Sequence, residues 1–146
     1  MTNVAFHFGA SDKLAYICRL LRKATGNGAR IVVLAELPLA TKLDHELWGV
    51  GAVDFVPHCM ARTSSSLLRH SPLLFTSEPL ADAPFPDTVL LQLSLQVPPN
   101  LESYQRVIEI VGLDEADRLT ARQRWRTYAA LGLTIQKHEI AQKEVI

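Results

Sequence analysis

Arg118, Arg122, Trp125 and Arg126 stand at i, i+4, i+7 and i+8 within Asp114-Glu115-Ala116-Asp117-Arg118-Leu119-Thr120-Ala121-Arg122-Gln123-Arg124-Trp125-Arg126-Thr127-Tyr128. On a helix, that spacing puts all four on one face. Guanidinium groups bind carboxylates through two parallel hydrogen bonds, and an indole beside them offers an apolar, stackable body. Such a stripe suits a short acidic peptide with an apolar anchor and a free terminal carboxylate. The competing reading is a solvated helix face, where charge is routine.

The other reactive side chains do not assemble into a site. His7, His45, His58, His70 and His138 contain no H-E-x-x-H pair, and none stands at zinc-finger spacing with Cys18 and Cys59. His58-Cys59 is a lone adjacent pair, and capping and packing account for these rings more simply than metal or nucleophilic roles. Ser64, Ser65 and Ser66 lack a G-x-S-x-G elbow and read as a solvated loop. Asp44 and Glu46 sit on a helix face. Gly26-Asn27-Gly28 precedes a strand instead of separating a strand from a helix, so it is a turn and not a dinucleotide loop. No G-x-x-x-x-G-K-[ST] phosphate loop exists, which weighs against a nucleotide hydrolase. No cofactor is expected. A second cluster, Leu43 to Trp48 followed by Phe55-Val56-Pro57-His58, holds two large aromatics. Trp48 and Phe55 fit a core and an interface anchor equally well.

The elements that must position these residues follow from periodicity. Val4 to Phe8 alternates and is rich in β-formers, so it reads as a strand. Ser11 or Asp12 caps a helix in which Leu14, Ile17, Leu20 and Leu21 recur at helical spacing through about Ala24. Ile31 to Ala35 is a continuous apolar run, as in a strand covered on both faces. This β-α-β unit implies a parallel pair with a right-handed crossover. Pro38 opens a helix to Trp48, broken by Gly49 and Gly51. Ala52 to Val56 is a short strand stopped by Pro57. Residues 60–72 read as a loop, Leu73 to Thr76 as a strand, Ala81 to Pro86 as irregular and Thr88 to Leu93 as a strand. Pro98-Pro99-Asn100 precedes an expected helix with Leu101, Tyr104, Val107, Ile108 and Val111 on one stripe. Gly112 breaks it. Asp114 caps the arginine helix, and Gly132 ends it. The alternation of strands and helices predicts an α/β fold.

At 146 residues, one domain spanning 1–146 is expected, long enough to bury a core. Fifteen basic residues balance fifteen acidic ones, which argues against a protein that coats nucleic acid. Cys18 and Cys59 have no nearby thiol partner, as expected of a reducing cytoplasm. The N-terminus does not read as a signal peptide. No segment approaches about 18 unbroken apolar residues, so no membrane span is expected.

Taken together, the clusters resemble the chi subunit of bacterial DNA polymerase III, part of the clamp-loader complex. The matching elements are the strand Val4 to Phe8, the L-D-x-x-L-W stretch Leu43 to Trp48, Phe55-Val56-Pro57-His58, and Ala121-Arg122-Gln123-Arg124-Trp125-Arg126-Thr127-Tyr128 with Gly132 after it. Met60 to Ser94 matches in general pattern only. The resemblance implies a Rossmann-like three-layer α/β fold with a mostly parallel central sheet and no catalytic activity. It implies two partners, with DNA reached only indirectly. One is the acidic C-terminal tail of single-stranded DNA-binding protein. The other is the psi subunit, which tethers chi to the clamp loader. The family's tail-binding positions fall on Val111, Arg118, Arg122, Trp125 and Arg126, and its psi-side aromatics on Trp48 and Phe55. Trp125 replaces a familiar tyrosine, and Arg118 and Arg126 replace lysines, so charge and aromatic character are kept. The alternatives are a small nucleotide-binding enzyme on a Rossmann-like sheet and a direct nucleic-acid binder through the arginine stripe.

Overall fold

The computed structural model describes residues 2–49, 59–60, 73–76, 87–99 and 101–140. Within them, seven strands form one sheet in which every pair of neighbours is parallel. In chain order the elements are β1 (Asn3–Ala10), α1 (Lys13–Gly26), β2 (Arg30–Leu34), α2 (Leu37–Gly49), β3 (Cys59–Met60), β4 (Leu73–Thr76), β5 (Thr88–Gln92), a 3-10 turn (Leu101–Ser103), β6 (Arg106–Gly112), α3 (Glu115–Ala130) and β7 (Thr134–Glu139). The sheet order is β3-β4-β2-β5-β6-β1-β7.

Strand alternation sorts the core into two layers, one on each sheet face. Ile31 and Val33 of β2, Leu73 and Phe75 of β4, and Ile108 and Ile110 of β6 face α1 and α2, which contribute Ile17, Cys18, Leu21 and Leu43. The intervening Val32, Leu34, Leu74, Val107 and Val111 join Val4 and Phe6 of β1 on the other face, under Ala121 and Tyr128 of α3. Strands buried on both faces read as unbroken apolar runs. The result is a three-layer, Rossmann-like architecture: the alternation of elements predicts its α/β class, and the resemblance implies its layering.

Several boundaries follow the local signals. Asp12 Oδ1 accepts the Ala15 amide at 3.1 Å and caps α1. Pro38 occupies the first turn of α2, where a missing amide hydrogen removes no helical bond. Gly9, at φ +92°, sits where the β1–β6 register shifts between Phe8 and Ala10.

Three expectations are corrected. The helix expected across Leu101 to Val111 is a 3-10 turn followed by β6. Its stripe of 101, 104, 107, 108 and 111 coincides with a run that is buried on both faces, and periodicity alone does not separate the two. Leu101 and Tyr104 are buried, and their carbonyls both accept from the Thr2 hydroxyl, at 3.1 and 2.7 Å. The first β-α-β unit does not make adjacent strands, since β5 and β6 lie between β1 and β2. Met60 belongs to β3, opposite Phe75, and not to a loop. Residues 61–72, the expected strand Ala52 to Val56 and the irregular segment Ala81 to Pro86 lie outside the described residues. β7, for which the sequence pattern provided no expectation, closes one edge of the sheet beside β1.

Candidate functional site

The arginine helix forms as its sequence dictates. The Asp114 carboxylate accepts the Asp117 amide at 3.3 Å, satisfying one of the amides orphaned at a helix start. At the other end Gly132 takes φ +78°, its amide donates to the Ala129 carbonyl at 3.0 Å, and the Leu133 amide donates to Tyr128 at 3.3 Å. This pairing is the Schellman arrangement, which needs a left-handed residue just past the cap. Asp117 adds a tether. Its Oδ2 accepts the Gly112 amide at 2.7 Å, and Lys13 of α1 reaches the same carboxylate at 3.1 Å.

The rotation of α3 about its axis decides which side chains face out. Ala121, Arg124 and Tyr128 are buried against the sheet. Arg118, Arg122 and Arg126 are exposed, and Trp125 stands half-buried on the shoulder between them and the sheet. Its ring lies on a bed of phenylalanines from β1. The centroids are 4.8 Å from Phe6 and 6.2 Å from Phe8. Phe6 and Phe8 are themselves stacked at 5.7 Å, and Tyr128 meets Phe6 edge-on at 5.8 Å. A half-buried indole held against two rings presents its free surface in one orientation, at little further cost in entropy.

The helix that carries Trp125 and the arginines is held by a buried polar network. Glu109 on β6 is 0% exposed, and Arg124 is 6% exposed. The Arg124 Nε donates to both carboxylate oxygens of Glu109, each at 3.0 Å. Tyr128 donates its hydroxyl to Glu109 Oε2 at 2.6 Å, and the Gln92 amide of β5 donates to the same oxygen at 3.3 Å. Burial pushes the Glu109 carboxyl above its ordinary range, against the pull of Arg124, Tyr128 and Gln92. The Tyr128 phenol is pushed up by burial and by the Glu109 charge. The sequence stripe did not single out this network. Its only trace is a lone acid inside the apolar run Val107 to Val111, with two polar-ended residues four apart on the next helix.

Among the sequence-derived site residues, Arg118, Arg122, Trp125 and Arg126 share the outer side of α3, as the spacing requires. Val111 is 0% exposed and sits in the cluster beneath, opposite Phe8 in the β1–β6 register. Two neighbours were missed by sequence reasoning: Phe8, and Lys137 of β7, whose ammonium stands 5.4 Å over the Phe8 ring. Lys137 pairs with Glu139 at 3.0 Å on the exposed strand. Trp48 lies in the last turn of α2, with its side chain outside the described residues; Phe55 lies outside them altogether. Among the described residues, no group of three His, Cys, Asp or Glu side chains is placed to hold a metal ion. No described helix is long and apolar enough to cross a membrane.

Comparison with known proteins gives a consistent match. The chain matches the family described as DNA polymerase III chi subunit, HolC, over residues 1–136. It is similar to DNA polymerase III subunit chi of Pseudomonas aeruginosa, with 29% identity in an alignment that covers 96% of this chain and 98% of that one.

Proposed function

The chain belongs to the DNA polymerase III chi subunit family, and on that premise we propose that it is a non-catalytic adaptor that joins the clamp loader to single-stranded DNA-binding protein. The polymerase complex is then held near coated DNA through the protein tail. As part of the replication machinery it works in the cytoplasm.

The observation that carries this reading is the outer side of α3. Trp125 is half-buried on Phe6 and Phe8, and exposed Arg118, Arg122 and Arg126 flank it along the same helix. An acidic tail that ends in an apolar side chain and a free carboxylate matches both parts. The apolar residue rests against Trp125. Arg122 or Arg126 clamps the carboxylate, and the remaining guanidiniums face the acidic side chains. Val111 supports the ring bed from within the core. Exposed ion pairs contribute only about 0–1 kcal/mol each, so the aromatic anchor must supply much of the affinity. Many weakly held tails on coated DNA then act by avidity.

The link to the clamp loader runs through a psi subunit that docks at Trp48 and Phe55. α2, whose last turn holds Trp48, packs on the sheet face opposite α3, since Leu43 belongs to the first core layer and Tyr128 to the second. A partner that docks on α2 leaves α3 free for the tail, which an adaptor requires.

The test is a titration of the full chain with an acidic peptide that ends in the host tail sequence, beside the same peptide amidated at its C-terminus. Binding that needs the free carboxylate, weakens with salt and is lost in Trp125→Ala supports the adaptor. A folded chain that ignores both peptides overturns it.

A further inference from the structure

The sheet face away from α3 carries a groove that tail binding does not use. Alternation along β1 turns Phe6 and Phe8 toward α3 and His7 toward α1. In the β1–β7 register His7 stands opposite His138, with ring centroids 4.9 Å apart. Tyr16 of α1 completes a cluster of three rings. Its hydroxyl oxygen lies 2.6 Å from His7 Nδ1, and its ring meets the imidazole edge-on at 5.9 Å. With Arg19, Leu20 and Lys23 these rings line a groove of about 440 Å³. A second hollow of about 310 Å³ shares His7, Leu20 and Lys23 with the first, and adds Arg106 and the apolar surfaces of Val89, Leu91 and Ile108.

The charge on this groove is one-sided. Among the described residues, no carboxylate lines either hollow. α1 holds no Asp or Glu from Lys13 to Gly26, although it carries Lys13, Arg19, Arg22 and Lys23. In a chain whose fifteen basic and fifteen acidic residues cancel, this is segregation and not an average. His7 is held down to about 4, first by burial and then by His138 and Arg106. The volume of the first hollow falls in the range of small-ligand sites.

We propose that this groove binds a nucleoside phosphate unit, with the phosphate between Arg19, Lys23 and His138 and the base against Tyr16 and the apolar floor of the adjoining hollow. Cations interleaved with stackable rings are the chemistry that single-stranded nucleic acids and nucleotides engage. Inorganic phosphate leaves the rings and the apolar floor unused, and an acidic peptide has no use for the Tyr16 ring and that floor. A free nucleotide and a nucleotide within a strand share this chemistry. The proposal is independent of the tail reading, since no residue of the α3 stripe takes part.

The histidine ring resonances of His7 and His138 report on the groove directly. The full chain is titrated with thymidylate, octathymidylate, inorganic phosphate and an acidic peptide of matched charge. Saturable shifts are expected with the first two, weakened about ten-fold by reversing an interface charge in Lys23→Glu and lowered by Arg106→Ala. Both side chains are exposed, so the fold survives their replacement. Arg122→Ala leaves the shifts in place. Tighter binding of the octanucleotide assigns the strand as ligand, and equal binding assigns the free nucleotide. Absence of saturable shifts, phosphate as tight as thymidylate, displacement by the peptide, or sensitivity to Arg122→Ala in place of Lys23→Glu overturns the proposal.

Discussion

Arg122 and Arg124 stand two residues apart on α3 and do opposite work. Arg124 is turned to the sheet, 6% exposed, with its guanidinium on a carboxylate that has no access to water. Arg122, like Arg118 and Arg126, is turned to solvent. The same side chain fixes the helix in one case and is left available to a partner in the other. The difference lies in the neighbour, since β6 brings Glu109 under one arc of the helix and nothing comparable under the other. A cation that must hold a fold needs a buried counter-charge, and one that must meet a partner has to remain hydrated and exchangeable.

Removing the inner partner breaks this contrast most severely. Glu109→Ala leaves Arg124 charged and unpaired in the core, and denaturant unfolding should register a loss of about 3–5 kcal/mol. Glu109→Leu combined with Arg124→Met replaces both partners by apolar groups and should recover most of that loss. A double variant as unstable as the single one would mean that the pair itself, and not the orphaned charge, carries the stability. Tyr128→Phe deletes one hydrogen bond to the same carboxylate and should cost about 1.5–3 kcal/mol, the range for bonds to charged groups, with tail affinity nearly unchanged at temperatures where the protein is folded. On the outer arc the order reverses. Arg122→Ala should change stability by less than about 0.5 kcal/mol while weakening a tail peptide several-fold at low salt, as read by isothermal calorimetry. Equal affinity in the intact fold would remove Arg122 from the site.

The smallest expected effect sharpens a second contrast, between the two sheet faces. His7 is held near 4 when folded, against about 6.5 when unfolded. Between these values the unfolded chain binds more protons, so the contribution of His7 to stability is complete above about pH 6.5 and is lost as pH falls toward 4. Thermal melts across that window should decline with acid, and His7→Phe should flatten part of the decline. Identical profiles for the two proteins would show that the imidazole is not what acid attacks.

Much of this was legible in the residues. Asp114, Gly132 and the i, i+4, i+7, i+8 spacing are local signals, and α3 appears with the expected caps and the expected outer stripe. β1, β2, β4 and β5 were visible for a related reason, since alternation or an unbroken apolar run survives in any context that buries it. β6 was not. Val107, Ile108, Ile110 and Val111 suit a helix stripe and a doubly buried strand alike, and only the β5 and β1 edges waiting on either side choose the strand. Val111 shows the consequence: named among the tail-binding positions, it lies fully buried, opposite Phe8 in the β1–β6 register. β7 was missed because Thr134 to Glu139 is almost wholly exposed, and an exposed edge strand has no apolar pattern to read.

The sequence by itself determined the class of fold, the caps of the arginine helix and the relative angles of its side chains, because those depend on bonds between residues a few positions apart. It did not determine the absolute rotation of that helix. Spacing places Arg122 and Arg124 on different arcs, but either arc could in principle face a sheet. Tertiary structure made the choice by pairing β6, which immediately precedes α3 in the chain, with the more distant β5, so that Glu109 and Gln92 stand side by side. A buried carboxylate requires a cation, and Arg124 was the one within reach.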